Sequence, residues 1–273
     1  MFPHNRTKQL LHEDKPALGI EFMTESHKLI EISGWAGFDF IQFDMEHTAY
    51  SFSEIEGFVR TAEGVGLTPI VRVAELGSSN IRRVLETGAQ GLIVPQVRTA
   101  QDVEEALQAM RYAPGGTRGM CTITRAARYN EQTWDEYLRW IDEQLMFIPI
   151  IENEEALRNV HEILAVPGID AVSFGAGDMG QALGAGADGL ADERVREALF
   201  IVREAARANN VPLKAMPVIG EGTEESIRDH IDHGVRLLTY DADALMFARL
   251  AQQAVASSRQ VFDQAASLTL GKA

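Results

Sequence analysis

Between residues 17 and 241 the chain alternates short apolar runs with stretches whose apolar residues recur every three or four positions. The runs "ALGIEF" (17–22), "FDFIQFDME" (38–46), "TPIVRV" (68–73), "GLIVPQV" (91–97), "MFIPIIE" (146–152), "IDAVSFGA" (169–176), "VPLKAMPV" (211–218) and "VRLLTYD" (235–241) predict strands. Between them, "SEIEGFVRTAEGV", "DVEEALQAMRYA" and "NEEALRNVHEILA" predict amphipathic helices. Ser53 and Asn153 are their expected caps, each followed by early carboxylates that suit a helix start. Strand and helix alternate eight times with no shift in composition. That pattern predicts an α/β protein, a single (β/α)8 TIM barrel over residues 1–273, with an open doubly wound sheet as its rival.

Two segments exceed a minimal barrel. Residues 113–145 form an insertion between the fourth and fifth strands, a Gly-rich basic loop with Arg118, Arg125 and Arg128 followed by a helix. Residues 258–273 carry Val261, Phe262, Ala265 and Leu268 at helical spacing. Such an apolar face packs either on its own barrel or on a neighbouring subunit.

Charge narrows the range of partners. With 25 Lys and Arg against 40 Asp and Glu, the net charge of −15 argues against nucleic acid and against anionic membranes. A few local cations can still bind a small anionic substrate. The opening "MFPHNRTKQLLHEDKP" places charges where a secretory signal needs apolar residues, and no run is long enough to span a bilayer. Cys121 is the single cysteine, so no intrachain disulfide or Cys-based metal cluster is expected. Together these features lead to the expectation of a cytoplasmic protein.

Side chains alternate across a strand, so parity locates the polar ones. In "FDFIQFDME" the even positions are Phe40, Gln42, Asp44 and Glu46, and the odd ones Ile41, Phe43 and Met45. Strands of a parallel sheet covered on both faces should be apolar throughout, so carboxylates there need a reason. The third run carries Arg72 near its end, the fourth Gln96, the fifth Glu152, and the sixth leads into Asp178. The eighth ends at Tyr240 and Asp241, and His47 follows Glu46. In a barrel all of these converge on the carboxyl-terminal face, where barrel enzymes keep their active sites. Taken singly, several have structural explanations: Asp44 with Arg72 as a buried ion pair, Glu152 as a helix cap, Asp178 as a turn residue.

Convergence favours chemistry. Glu152 and Asp178 end adjacent strands, whose backbones lie about 5 Å apart, close enough for both carboxylates to hold one hard divalent cation. The planar fork of Arg72 suits a carboxylate or an oxyanion. His47 is the candidate proton carrier. Cation, arginine and histidine together suit carbon chemistry through an enolate. Lys214, in "PLKAM", sits mid-strand and makes a weak Schiff-base candidate.

The blocks "GFDFIQFDMEHTAY", "PIVRV", "GAQGLIVPQV", "RYAPGGTRGM", "IPIIENEEALRNVHEILAVPGIDAVSFGAGDMGQALG" and "DHGVRLLTYDADAL" resemble the HpcH/HpaI family. These are class II, metal-dependent pyruvate aldolases of the phosphoenolpyruvate/pyruvate barrel superfamily. The resemblance spans nearly the whole chain, and the first and fifth blocks are the specific ones. It implies Glu152 and Asp178 as metal ligands for Mg, Mn or Co, and Arg72, supported by Asp44, as the group that steadies a pyruvate enolate. It implies His47 beside Glu46 for proton transfer, with Glu86 of a neighbouring subunit assisting. It implies that the backbone amides of Gly177 and Asp178 hold the substrate carboxylate; Gln96, at the end of the fourth run, is expected with Arg72 among the substrate contacts. A homo-hexamer built as a trimer of dimers, with an exchanged C-terminal helix, is implied as well. The chain departs from the family at three places: Ile150 replaces a glutamine, Met45 a small residue, and "GAGD" a stretch containing proline.

The expected reaction is cleavage or formation of a 4-hydroxy-2-oxo acid, giving pyruvate and an aldehyde. Decarboxylation of a 2-oxo diacid through the same enolate is the alternative. Two other classes stay open. "GAGDMG" (175–180) matches the dinucleotide pattern G-x-G-x-x-G, but the Gly/Ala-rich "QALGAGADGLADE" beyond it is a poor helix start, and Val218 stands where an acidic residue is needed. A barrel that senses a small acid without turnover is the other.

Overall fold

The computed structural model describes residues 2–216 and 223–270. Strands β1 (Ala17–Phe22), β2 (Phe40–Asp44), β3 (Thr68–Arg72), β4 (Gly91–Val94), β5 (Met146–Ile151), β6 (Val172–Phe174), β7 (Leu213–Ala215) and β8 (Val235–Ala242) pair in parallel and close in chain order. The (β/α)8 barrel is therefore the fold, and the open sheet is excluded. Helices α1 (Arg6–His12), α2 (His27–Ala36), α3 (Phe52–Gly64), α4 (Ser78–Glu86), α5 (Ala100–Met110) and α6 (Trp134–Gln144) accompany the first half. The second half carries α7 (Glu154–Arg158), α8 (Val160–Leu164), α9 (Ala176–Ala182), α10 (Glu193–Ala208), α11 (Glu224–Asp232) and α12 (Asp243–Leu270).

Parity works as the alternation requires. Ile41, Phe43 and Met45 join the outer core beneath the helices, whereas Phe40 joins an inner cluster with Ile70, Ile93, Met146, Ile148, Ile150 and Leu237. Gly19 is what lets Phe40 lie across the barrel, because a Cβ there would sit 2.2 Å from its ring. Several strands stop short of their apolar runs, β2 at Asp44 rather than Glu46 and β6 at Phe174 rather than Ala176. Chain leaving the top of the barrel turns away to build the rim, and apolar composition alone does not mark where pairing ends. Residues 217 and 218, expected to finish the seventh strand, lie outside the described residues.

The cap expected at Ser53 is Ser51, which forms a capping box with Glu54, while Asn153 caps α7 as expected. At the amino-terminal end of the strands, α1 seals the barrel. The side chain of Asn5, fully buried, donates to the carbonyls of Gln90 and Gln144, and Leu11 enters the inner cluster. Lys8 donates to the carbonyl of Leu145 and pairs with Asp170.

In the insertion, Arg125 donates to Glu63 and to the carbonyl of Thr87, Arg118 stacks on Tyr112, and Arg128 pairs with Glu63. These arginines hold the loop against the helical shell. At the far end, α12 runs for 28 residues and leaves Phe247, Leu250, Val255, Val261 and Phe262 exposed. The side chain of Leu268 lies outside those described.

Candidate active site

Register builds the centre of the site. Asp44 stands opposite Arg72, and Glu21 opposite Gln42. Arg72 donates through Nε to Asp44 Oδ1 at 2.8 Å and through Nη2 to Asp44 Oδ2 at 2.6 Å, a bidentate fork on a fully buried carboxylate. Nη2 also reaches Glu21 Oε1 at 3.4 Å, and Nη1 lies 3.5 Å from Glu46 Oε2. Burial works against the charge on Arg72, but Asp44, Glu21 and Glu46 outweigh it and raise its pKa. Gln42 Nε2 donates to Glu21 Oε1 at 2.6 Å, which fixes Glu21 beside the guanidinium.

Glu46 belongs to the rim, not to β2. Its N–H donates to Asp44 Oδ1 at 2.9 Å, so the strand's last carboxylate turns the chain that follows. Among the described residues its enclosed Oε2 has no hydrogen-bond partner. Burial raises the pKa of Glu46 against the charges of Arg72 and His47, with Asp44 and Asp178 adding to the rise. His47 projects outward with a side-chain exposure of 54%, its Nε2 lying 3.7 Å from Glu46 Oε2.

Glu152 follows β5 directly and is 2% exposed. Its Oε1 accepts the N–H of Gln96 at 2.5 Å. Gln96 makes that contact from the left-handed region, at φ 56°, an uncommon conformation for a residue with a side chain. Its side chain is exposed, so what Gln96 gives the site within this chain is its backbone. Burial pushes Glu152 up to about 7 against the Gln96 N–H; the charges of Glu46 and Asp178 add to the rise, and Arg72 opposes it.

"GAGDMG" does open straight into a helix, contrary to the expectation from sequence, because α9 begins at Ala176. The closed barrel nonetheless lacks the crevice at a strand-order reversal that a dinucleotide fold uses. The first N–H to bond back is that of Met179, to the carbonyl of Gly175. The amides of Gly177 and Asp178 therefore precede the helix's own bonding and face outward on exposed residues. Gly175 is the glycine the site requires: a Cβ there would lie 2.6 Å from Glu152 Cβ and 2.8 Å from its Oε2. A Cβ at Gly177 would meet nothing within 4 Å, and one at Gly180 would press on the carbonyl of Gly186 at 2.9 Å. Gly180 is thus a packing position.

When ionised, Glu46, Glu152 and Asp178 offer oxygens that only accept; burial and neighbouring carboxylates raise the pKa of Glu46 and Glu152, and Glu46 Oε2 has no hydrogen-bond partner among the described residues. That donor set fits a hard divalent cation. Among the described residues no three His, Cys, Asp or Glu groups enclose an ion by themselves. Two protein carboxylates, with water and substrate completing the shell, is the arrangement the residues suit.

Not every expected residue is assembled. Glu86 ends α4, on the amino-terminal side of the barrel near Tyr112, and this chain does not bring it to the others. Met45 packs into the outer core, so its size does not reach the site. Ile150 does face the interior. Glu21, the charge within "ALGIEF", is a site residue the sequence reading does not name, and Lys214, its weak Schiff-base candidate, also faces the interior. Lys214 is 6% exposed and aligned with Ser173 and Leu237. Burial brings its pKa down to about 8, opposed by Glu21 and reinforced by Arg72. One charged residue in each apolar run was the available signal.

The family model described as HpcH/HpaI aldolase/citrate lyase matches residues 22–248. A 2-dehydro-3,6-dideoxy-6-sulfogluconate aldolase of Pseudomonas putida is 32% identical over 89% of this chain and 93% of its own length. A hydroxypyruvate/pyruvate aldolase of Delftia acidovorans is 32% identical over 97% of each. Among solved structures, an HpcH/HpaI aldolase/citrate lyase family protein from Burkholderia cenocepacia superposes with a TM-score of 0.86 at 27% identity, over 93% of this chain and 99% of that one.

Proposed function

Because this chain belongs to the HpcH/HpaI aldolase/citrate lyase family, we propose that it is a carbon–carbon lyase which cleaves or forms a 4-hydroxy-2-oxo acid, with pyruvate or a close 2-oxo acid as donor and an aldehyde as acceptor. The observation that carries the proposal is the convergence of Glu152, Glu46 and the Asp44–Arg72 fork at the carboxyl ends of β2, β3 and β5. Glu152 and Asp178 would hold a divalent cation, Mg, Mn or Co, which when bound supplies Lewis-acid polarisation of the 2-oxo group.

The chain's own residues do the rest. The substrate carboxylate lies against the outward amides of Gly177 and Asp178. Arg72, locked by Asp44, presents Nη1 to the oxygen on which negative charge develops as the carbon–carbon bond breaks. A preorganised donor of this kind needs no reorientation during the reaction. His47, beside Glu46, takes the proton from the C4 hydroxyl in the cleavage direction and returns it in synthesis, and its exposure lets it exchange that proton with water. Glu86 enters only with a neighbouring subunit.

A homo-oligomer, a hexamer built from dimers, belongs to the same proposal and is supported by the exposed apolar residues of α12. A cytoplasmic location goes with it, supported by the lone free cysteine. No helix among the described residues is long and apolar enough to cross a membrane.

The test measures pyruvate release from a 4-hydroxy-2-oxo acid with and without EDTA, and solvent-deuterium incorporation into the methyl group of pyruvate. Release and exchange that both vanish with EDTA and return with Mn are expected. Turnover indifferent to the chelator, with no exchange, would overturn the proposal.

A further inference from the structure

His47 is the least supported group of the proposed machinery. Its side chain is 54% exposed, and among the described residues its one ion-pair neighbour is Glu46 Oε2, at 3.7 Å. Where the ring stands therefore depends on the backbone of residues 45–50, a segment that belongs to neither β2 nor α3. Asp44 holds one end of it: Oδ1 accepts the Glu46 N–H at 2.9 Å, and the Asp44 carbonyl accepts the Thr48 hydroxyl. Tyr50 holds the other end, three residues beyond His47.

Tyr50 is buried, its ring set edge-on to Phe58 of α3 with 5.2 Å between centroids. Its hydroxyl donates to the carbonyl of Thr24 at 2.8 Å, in the loop between β1 and α2. Burial, with the charges of Asp243 and Glu25 adding to it, raises the pKa of the phenol, which therefore stays a donor. Thr24 is held in turn. Its hydroxyl donates to Asp243 Oδ2, and the neighbouring Met23 N–H donates to Asp243 Oδ1 at 2.9 Å. Asp243 is the buried first residue of α12, and its Oδ1 also accepts the Ala244 N–H at 2.7 Å. A carboxylate serving only its own helix would need just that last bond. This one reaches a second loop as well, and three donors fix its orientation. Hydrogen bonds thus run without a break from the first turn of α12, through Thr24, to the segment that carries His47.

We propose that Tyr50 and Asp243 are positioning residues for proton transfer, tying the His47 segment to the start of the C-terminal helix through Thr24. This rests on the function proposed above and adds two residues to it. Both act through His47 rather than on substrate. Arg72 is held separately by the Asp44 fork, and Glu152 by the Gln96 N–H. Loosening the tie therefore falls on the rate of proton transfer and leaves binding of the 2-oxo acid and of the cation in place.

The test is a pair of double-mutant cycles on the Mn-loaded full chain, read by pyruvate release from a 4-hydroxy-2-oxo acid. Tyr50→Phe removes one hydroxyl and keeps the ring against Phe58. Asp243→Asn keeps an acceptor for Met23 but loses the charge that binds the Thr24 hydroxyl. Each should lower kcat roughly tenfold, since a misplacement of about 1 Å costs on the order of 100-fold where geometry is pre-set. KM for the 2-oxo acid and Mn affinity by calorimetry should stay within about twofold of wild type, as expected of independent sites. In a His47→Ala background either change should alter the residual rate by no more than about twofold, because the group it positions is gone. Wild-type kcat in either variant, the same fold-loss with and without His47, or a loss confined to Mn affinity overturns the inference. If Asp243→Asn does not fold, the Tyr50→Phe cycle decides. The parent proteins separate the two levels. EDTA-sensitive release by the wild type beside a failed cycle removes the positioning alone, and no such release removes the proposed function. A His47→Ala chain with wild-type kcat removes the role of His47, and the positioning with it.

Discussion

Replacing Gly175 by alanine tests whether the site depends on the close approach of one backbone to Glu152. Gly175 has φ −88° and ψ 85°, so alanine meets no left-handed penalty and the effect is steric. The new Cβ would stand 2.6 Å from Glu152 Cβ, about 0.8 Å inside the 3.4 Å at which ordinary contact begins. Neither partner yields easily, since Glu152 is anchored by Gln96 and Gly175 donates to the carbonyl of Ile151. The overlap should therefore displace the Glu152 carboxylate by several tenths of an ångström. A shift near 1 Å costs about a hundredfold in rate where geometry is pre-set, so kcat should fall on the order of 10- to 100-fold. Overpacking of this kind costs about 1–3 kcal/mol of stability, or several degrees in Tm. Steady-state pyruvate release, Mn titration by calorimetry and thermal melts on Gly175→Ala would measure all three effects. Gly64→Ala is the control, because a Cβ there meets nothing within 4 Å and helix propensity favours alanine by about 0.5–1 kcal/mol. Wild-type kcat and wild-type Mn affinity in Gly175→Ala would refute the reasoning.

Other outcomes follow from the same geometry. Burial raises Glu152 from 4.5 to about 7, so the metal-free folded chain binds a proton that the unfolded chain has released between those pH values. The stability this contributes is full below about 4.5 and is lost as pH rises through about 7, up to about 3 kcal/mol. Melting of the metal-free protein should fall over that window, Mg should restore most at the alkaline end, and Glu152→Gln should flatten the profile. Arg72→Lys keeps the charge but loses the fork on Asp44; kcat should fall on the order of 100- to 1000-fold with a smaller change in KM, read by steady-state kinetics. Phe247→Glu with Phe262→Glu, at positions 72% and 67% exposed, should lower the mass in sedimentation velocity without lowering helicity; an unchanged mass would disconnect α12 from assembly.

Most of the fold was legible because a closed parallel barrel imposes two periodicities at once, and both are written in the chain. The inward set Phe40, Gln42 and Asp44 follows from alternation alone, and so does the outward set Ile41, Phe43 and Met45. Strand ends were less legible, since the residues after Asp44 and Phe174 stay apolar or acidic while their backbones leave the ladder. Within the site, residues flanked by distinctive neighbours were readable, as with Arg72 and Glu152. Glu21 and Lys214 were less so, because their meaning depends on strand register: Glu21 acquires Gln42 and Arg72 as partners only when β1, β2 and β3 pair, and β7 is three residues long. Gly175 shows the same limit. Three glycines in one short pattern look alike, and only the position of Glu152 tells which of them must lack a side chain.

The plug formed by α1 also governs traffic. With Asn5 and Lys8 tied to the strand starts and Leu11 in the inner cluster, α1 covers the amino-terminal end of the barrel among the described residues, and reactants reach the site from the opposite end. Whichever partner lies deeper must arrive first and leave last. Under the proposed function, with the donor at Arg72 and the aldehyde above it, bond formation would be a compulsory queue: the 2-oxo acid would enter ahead of the aldehyde, and in cleavage the aldehyde would depart ahead of the 2-oxo acid. Excess aldehyde occupying the mouth of an empty barrel would then slow its own reaction.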